Sequence, residues 1–132
     1  DVLKLSDDDL SWISGKNDIK QGLRELPINP QGLVVVTAGA NGAYGFWRGE
    51  ELHVDGFDVS VIDTTGCGDA FLAGLMLGLV PFAQSLTLLD ALALKEAMTF
   101  ANACAAIVAA RRGAANSMPQ LTEVLHFLKE NC

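Results

Sequence analysis

The sequence predicts an α/β fold in which a mostly parallel sheet has helices on both faces and carries an inserted antiparallel hairpin. Two observations lead to this prediction. Residues 33–37 form a continuous apolar, β-branched run, which is typical of a strand buried on both faces. Helical patterns also alternate with short strand-like segments along the chain. At 132 residues, half of them hydrophobic, the chain is long enough to bury one core.

The first third of the chain carries clear signals for the starts and ends of helices. Ser6 is a good N-cap, the three aspartates after it suit a first helical turn, and Gly15 suits the end of that helix. Residues 19–26 predict a second, shorter helix that ends before Pro27. The buried strand at 33–37 comes next.

The rest of the chain predicts a hairpin, one more strand and three helices. Residues 43–47 and 51–54 flank an Arg-Gly-Glu turn at 48–50, which indicates two antiparallel strands. Residues 59–62 predict a further strand. The predicted helices cover residues 68–79, about 88–110, and 119–129 with Pro119 in the first turn.

Composition narrows the classes of function. The net charge of −7 argues against nucleic acid or an anionic membrane as a partner. The three cysteines are unevenly spaced and indicate no disulfide framework, so a reducing cytoplasm is the expected location. Charged residues interrupt the Ala-rich stretch at 86–110, so we expect no membrane span there. An acidic chain that binds a phosphate must create local positive potential with backbone amides and a metal ion.

The most informative segment is residues 61–71, which predicts a strand, a tight turn and the start of a helix. Gly66 and Gly68 lack Cβ, so the backbone can turn sharply and lie close to a bound group. The N–H groups of a first helical turn favour an anion, and Asp69 beside them could take a proton from a hydroxyl. This combination indicates phosphoryl transfer. The alternative is structural, because acids in first helical turns and Gly-x-Gly turns are both common.

Residues 63–74, with the pattern Asp-Thr-Thr-Gly-Cys-Gly-Asp-Ala-Phe-x-x-Gly, closely resemble the signature of the PfkB (ribokinase-like) carbohydrate kinases. Three further segments also resemble the family's pattern and occur in the family's order along the chain. They are residues 4–10 with Gly15, residues 36–43, and residues 100–103 with 111–114. The resemblance therefore covers essentially the whole chain. Ser6, where many members have asparagine, favours the fructokinase-like members.

The resemblance implies a ribokinase-like fold and an ATP-dependent sugar kinase, most simply a fructokinase. Family members are more than twice as long, so residues 1–132 are expected to be the C-terminal part, the nucleotide-binding and catalytic-base half, without the sugar-covering lid. The expected ligands are a small-molecule sugar, ATP, Mg²⁺ and a monovalent cation such as K⁺, and the intact protein is expected to be a homodimer. Alternatives are a ribokinase, a 2-keto-3-deoxygluconate kinase, or a non-catalytic nucleotide-binding module.

The resemblance also implies roles for individual residues. Asp69 matches the catalytic base, and the anion hole would be formed by the N–H groups of Gly66, Cys67 and Gly68. The nucleotide would be lined by four residues: Thr37, Gly39, Gly42 and Asn102. Structural alternatives remain for this second set, because Gly-x-x-Gly turns are common and a buried asparagine is often simply hydrogen-bonded in the core.

Two ion sites are implied in the same way. A monovalent cation would be held, mainly by backbone carbonyls, at Asp63, Thr65, Val108, Arg111, Gly113 and Ser117. Asp9 stands where the family usually has a glutamate linked to Mg²⁺, although an ordinary first-turn acid explains it equally well.

Four further side chains are given structural roles. His53 and His126 have no neighbours in the sequence that indicate a metal site or a catalytic triad. Trp12 and Trp47 are expected to be packing residues. Because ligands bind at the carboxyl ends of strands in such sheets, Thr37 and Asp63 mark the expected place of the site.

Overall fold

A computed structural model describes residues 2–132 of the chain. It contains four strands and five α-helices, joined by turns and short 3₁₀ segments. In chain order they are β1 Val2–Ser6, α1 Asp7–Ser14, α2 Ile19–Glu25, β2 Leu33–Thr37, β3 Ala43–Trp47, β4 Glu50–Val54, α3 Cys67–Leu79, α4 Ala91–Ala109 and α5 Leu121–Asn131.

The four strands form one sheet in the order β1-β2-β3-β4. Only β1 and β2 are parallel, and they are joined by a crossover through α1 and α2. β3 is antiparallel to both β2 and β4. The prediction of a mostly parallel sheet is therefore wrong for residues 2–132. The five residues between β2 and β3 can only reverse the chain, since a parallel neighbour needs a connection of about a dozen residues or more.

One predicted strand is absent, and one observed strand was not predicted. Residues 59–62 form no strand, because the N–H groups of Ile62 and Asp63 donate to the carbonyl of Ala109 at the end of α4 instead of to a neighbouring strand. β1 was not predicted. Its five residues alternate only weakly, and they become a strand through pairing with β2, from Val2 opposite Leu33 to Ser6 opposite Thr37.

The prediction of helices on both faces of the sheet is confirmed. On one face, Leu33 and Val35 of β2 pack with Phe71 and Leu75 of α3 and with residues of α4. On the other, alternate residues of β2 pack with Leu10 of α1 and with α2. Burial of both faces explains why β2 is a continuous apolar run.

The helix boundaries mostly follow the capping signals. The Ser6 hydroxyl accepts the Asp9 N–H at 3.0 Å, and the Asp9 carboxylate accepts the Ser6 N–H at 3.1 Å, which forms a capping box. Gly15 ends α1 in the left-handed region. Pro119 lies outside α5, contrary to the prediction, because Gln120 is the N-cap and its N–H donates to Glu123 at 2.8 Å.

The two tryptophans have different environments. Trp47 is buried, and its indole N–H donates to the Leu89 carbonyl at 3.3 Å, as expected of a packing residue. Trp12 is 87% exposed, so its predicted packing role is wrong. It lies on α1, whose one buried residue is Leu10, and its side chain is therefore on the outer surface.

α4 is the central helix of the core. Its length and composition alone would allow it to cross a membrane. More than half of its apolar window is nevertheless buried within the protein, where it packs closely against α3. Burial of that kind is what the core helix of a folded domain requires.

Candidate active site

The predicted signature forms a tight turn into α3. Gly66 is the N-cap of this helix and has a φ of 84°, a conformation that favours glycine. A Cβ at Gly66 would also lie 3.0 Å from the Cβ of Ala114. Glycine is therefore required here both for the turn and for close packing against the loop after α4.

Backbone N–H groups at the start of α3 are available to a ligand. Cys67 N–H donates to the Thr64 carbonyl at 3.2 Å, and Ala70 N–H donates to the Gly66 carbonyl at 2.9 Å. Within residues 2–132, the N–H groups of Gly66, Gly68 and Asp69 have no acceptor. The open donors therefore include Asp69 itself, whereas Cys67, one of the three predicted donors, already has a partner.

Asp69 occupies the first turn of α3, and its carboxylate is exposed. It makes no side-chain hydrogen bond and no ion pair with any residue of 2–132. A carboxylate that is exposed and unengaged beside open N–H donors can receive a proton from a bound hydroxyl group.

Cys67 begins α3 and is half-buried. Burial and the nearby Asp63 carboxylate raise the pKa of its thiol. The thiol is therefore protonated at neutral pH.

A cavity of about 390 Å³ lies beside this turn. It brings together three of the predicted site residues, Gly39, Cys67 and Asn102, while alanines of α4 form an apolar wall. The lining residues are Gly39, Ala40, Gly56, Phe57, Asp58, Val59, Val61, Thr64, Cys67, Asn102, Ala105, Ala106 and Ala109. Depressions of about 700 and 790 Å³ lie elsewhere and contain none of the predicted site residues.

Two glycines lock the turn after β2 onto the segment after β4. Gly42 has a φ of 81°, and a Cβ there would collide with the Val54 carbonyl. A Cβ at Gly56 would collide with the Ala40 carbonyl. Gly56 lines the cavity, whereas Gly42 does not but packs against the backbone of Val54 and Gly56. Gly56 was not identified from the sequence, where a single glycine after a strand is not distinctive.

Polar side chains fix the same region. Asn102 is 7% exposed, and its Nδ2–H donates to the Asp55 carbonyl at 3.0 Å. His53 Nε2 lies 2.9 Å from the Asn41 carbonyl, so that nitrogen carries the donated proton. His53 thus contacts the turn 39–42, a role that its isolated place in the sequence did not reveal.

Thr37 is the one predicted nucleotide residue whose side chain turns toward a neighbouring strand. It ends β2 as expected, but its hydroxyl donates to the Leu5 carbonyl of β1 at 3.4 Å. It is not among the residues that line the cavity. The side chain therefore joins the ends of two strands, below the turn that borders the cavity.

Of the residues predicted to hold a monovalent cation, Val108 is buried in the last turn of α4, and the other five lie in the segment before α3 and in the segment after α4. Asp63 accepts the Thr65 N–H at 2.9 Å and the Gly113 N–H at 3.2 Å. These hydrogen bonds, Thr65's first, lower the pKa of the Asp63 carboxyl. Two more hydrogen bonds close the neighbouring loop, from Arg111 N–H to the Val108 carbonyl at 3.0 Å and from the Ser117 hydroxyl to the Arg112 carbonyl at 2.7 Å.

Asp9 is mainly occupied by its capping role. Its Oδ2 accepts both the N–H and the hydroxyl of Ser6, and these bonds are the main reason that the pKa of Asp9 is lowered. No group of three or more His, Cys, Asp or Glu residues within 2–132 is arranged to hold a metal ion. A magnesium ion at this site would depend on phosphate oxygens and water for most of its ligands.

Comparison with known proteins gives a consistent result. Residues 1–121 match the model of the pfkB family of carbohydrate kinases. The chain is 39% identical over 132 residues to a probable fructokinase-7 of Arabidopsis thaliana, covering 97% of this chain and 38% of that protein.

Solved structures agree. A fructokinase of Vibrio cholerae, crystallised with fructose, ADP and calcium, has a TM-score of 0.86 and 35% identity, covering 97% of this chain and 41% of that one. A double mutant of it (TM-score 0.81, 33% identity, 96% and 40% covered) contains potassium. An aminoimidazole riboside kinase of Salmonella enterica, bound to its riboside and an ATP analogue, has a TM-score of 0.78 and 31% identity, covering 96% and 41%.

The chain spans about two fifths of the length of the relatives it matches. The prediction that it is the C-terminal part of a larger domain is not borne out by these matches. They support an α/β segment with ribokinase-like neighbours.

Proposed function

Because this chain belongs to the pfkB family of carbohydrate kinases, we propose that the protein containing it transfers the γ-phosphoryl group of ATP to a hydroxyl group of fructose. Residues 1–132 would supply the nucleotide-binding and catalytic-base part of that protein. The observation that carries this proposal is the exposed Asp69 carboxylate in the same helical turn as open N–H donors. Asp69 itself does not line the cavity of about 390 Å³, but Thr64 and Cys67, which precede it in the same turn, do.

The nucleotide base fits the apolar side of the cavity. Ala105, Ala106 and Ala109 present a flat wall of small side chains from α4, opposite the turn that contains Gly39. Asn102 fixes the neighbouring backbone at Asp55 and keeps this wall and the turn at a constant separation. The phosphates would then extend past Thr64 and Cys67 toward the open N–H groups at Gly68 and Asp69.

In the chemical step, a sugar hydroxyl oxygen forms a bond to the γ-phosphorus while the bond from that phosphorus to the β,γ-bridging oxygen breaks. The electron pair of the broken bond stays on ADP, and the hydroxyl proton passes to the Asp69 carboxylate. The open N–H groups of the first turn of α3 stabilise the charge on the transferred phosphoryl group. The Asp69 carboxylate and these N–H groups all belong to the first turn of α3, which holds them in fixed positions.

The chain offers different candidate ligands to Mg²⁺ and to a monovalent cation. Mg²⁺, which neutralises phosphate charge when it is bound, would be held mostly by ATP and water, with the carboxylates of Asp9 and Asp69 as candidate ligands. A monovalent cation such as K⁺ suits the oxygen-rich loops around Asp63 and Ser117. Neither ion replaces Asp69 as the proton acceptor.

A second candidate for the sugar substrate has a specific basis. The aminoimidazole riboside kinase has the same fold at 31% identity, so a riboside or another sugar of the family is the alternative substrate. A non-catalytic nucleotide-binding module is disfavoured, because such a module has no need of an exposed acid at an open helix N-terminus. A cytoplasmic location and a homodimer remain part of the proposal for the intact protein.

The test is a coupled ADP-release assay on the natural full-length protein, with fructose, ribose, 2-keto-3-deoxygluconate and aminoimidazole riboside as acceptors. We expect ADP release that depends on the sugar and is fastest with fructose. A faster rate with another sugar would correct the substrate and leave the kinase proposal intact. Nucleotide binding without turnover on any sugar would instead favour the non-catalytic module.

A further inference from the structure

Lys4 is placed against the start of α3. In the register of β1 and β2 it is paired with Val35, and paired residues present their side chains on the same face of a sheet. Val35 packs in the core with Phe71 and Leu75, so the Lys4 side chain lies on the α3 side. Its ammonium nitrogen is 3.1 Å from the position that a Cβ on Gly68 would occupy.

Within the described residues 2–132, the charge of Lys4 is not neutralised by a direct contact. The side chain is half-buried, yet it forms no ion pair and no side-chain hydrogen bond with any residue of 2–132. Asp9 is close enough for Lys4 to contribute to its lowered pKa, although the hydrogen bonds from Ser6 are the larger cause.

The positive charge of Lys4 beside the start of α3 is unfavourable for the stability of the fold by itself. A helix N-terminus carries a partial positive charge and is stabilised by anions, so an ammonium group beside it is repelled. The N–H groups of Gly68 and Asp69, in the same helical turn, have no acceptor in residues 2–132. Both kinds of group would be satisfied together by a phosphate, which binds an ammonium and backbone N–H donors at once.

We propose that Lys4 is a catalytic residue that contacts the transferred phosphoryl group through its ammonium and stabilises the negative charge of that group in the transition state. This inference rests on the proposed kinase function and assigns a further residue to its phosphate end. The absence of a Cβ at Gly68 lets the ammonium approach the helix backbone closely. The contact joins β1, at the edge of the sheet, to the first turn of α3.

The test compares K4M and K4R with wild type in the natural full-length protein, with K16M as a matched control on the exposed loop after α1. We expect K4M to lower kcat about 100- to 1,000-fold, the range for removal of a charge-stabilising donor. The KM for ATP should change only a few-fold, and K4R, which keeps the charge, should retain at least about tenfold more activity than K4M. K16M should match wild type.

A second measurement separates a catalytic from a structural role. Binding of ADP with aluminium fluoride and sugar, which mimics the transferring phosphoryl group, should weaken in K4M, whereas binding of ADP alone and the Tm should not change. If K4M does not fold, K4Q is measured in the same way. Kinase activity of K4M within about threefold of wild type, or equal losses in ADP affinity and Tm, would overturn the role of Lys4. A wild-type protein that phosphorylates no sugar would overturn the proposed function itself.

Discussion

At the residue scale, the proposed site depends on one carboxylate and on the backbone beside it. The Asp69 side chain makes no hydrogen bond or ion pair within residues 2–132, so its proposed task is to act on a bound hydroxyl group and not to hold the fold together. Gly66 allows the left-handed φ of the turn, and Gly68, which has no side chain, leaves room for the Lys4 ammonium.

The first prediction concerns proton transfer. Asp69→Asn in the full-length protein should lower turnover by about a hundred- to ten-thousandfold, because the amide cannot accept the hydroxyl proton. ATP binding should persist, since the N–H donors of the turn are unchanged. Steady-state rates and nucleotide titration measure the two effects, with Glu25→Gln on α2 as an exposed acidic control outside the cavity. Near-normal turnover of the Asn variant would remove Asp69 from the catalytic role.

The second prediction tests the backbone as the anion site. Gly68→Val should reduce kcat more than Cys67→Ala does, because a β-branched side chain at 68 would meet Lys4 and cover the open N–H groups. The Cys67 thiol makes only a long contact of 3.9 Å to the Asp63 carbonyl and is expected to be dispensable. Both variants are compared in the same kinase assay. Equal rates would contradict an anion site made of backbone donors.

The tight turn and helix start of the signature could be predicted, because glycine suits a left-handed turn and an acid suits a first helical turn, whereas the roles of its residues came from the family resemblance. Lys4, His53 and Gly56 could not be predicted. Each acts through a partner far along the chain: Lys4 at Gly68, His53 at Asn41 and Gly56 at Ala40. Single residues of these types carry no local pattern, so only the fold reveals what they contact.

At the element scale, helix ends and the buried strand could be predicted from capping residues and from a continuous apolar run, whereas the pairing of strands could not. The start of α1 at Ser6, its end at Gly15 and the whole of β2 follow from local preferences and appear as predicted. The direction of strand pairing depends on connection length, and the segment 59–62 depends on a helix end that supplies its acceptor. Neither influence can be derived from the composition of the segment itself.

The third prediction concerns the interlocked turn and strand end. Gly56→Val should weaken adenine nucleotide binding by at least about tenfold and lower the Tm, because the new side chain collides with the Ala40 carbonyl and displaces the cavity wall. Ser60→Val places the same side chain at an exposed position of the same segment and should have little effect. Calorimetric titration and thermal melting measure both. Normal affinity in the Gly56 variant would show that the turn does not shape the nucleotide site.

The fourth prediction concerns Asp63, which fastens the signature to the loop after α4. Hydrogen bonds from Thr65 and Gly113 lower its pKa in the folded protein. A depressed folded pKa contributes stability above the unfolded pKa, about 3.9 for Asp, and this stability is lost as the pH falls through the folded pKa. Wild type should therefore be more stable than Asp63→Asn at pH 6, with a difference that shrinks in acid.

Urea unfolding of both proteins between pH 3 and pH 7 measures that difference. Asp58→Asn is the control, because Asp58 forms no hydrogen bond within residues 2–132. A stability difference that stayed constant over this pH range would mean that the Asp63 charge does not hold the two loops together.

At the scale of the whole molecule, the chain carries more apolar surface than its own core uses. Leu72, Met76 and Leu77 of α3 are between 39% and 53% exposed, and Val80 after the helix is 61% exposed. β1 pairs with β2 on one side only, so its other side presents backbone N–H and carbonyl groups without strand partners in residues 2–132. Such surfaces favour further contacts in the longer protein.

The fifth prediction is that a polypeptide of these 132 residues alone has no sugar-dependent kinase activity, although it binds adenine nucleotide weakly. The chain spans about two fifths of the length of its relatives, and nothing in residues 2–132 closes over the exposed Asp69 carboxylate to exclude water and orient a sugar. The unpaired edge and the apolar face of α3 should also make it self-associate. The coupled ADP-release assay with fructose, run beside the full-length protein and with light scattering as a measure of association, tests both statements. Turnover of the short polypeptide comparable with that of the full-length protein would show that its own residues form a complete sugar site, and the division of labour proposed for this chain would then be wrong.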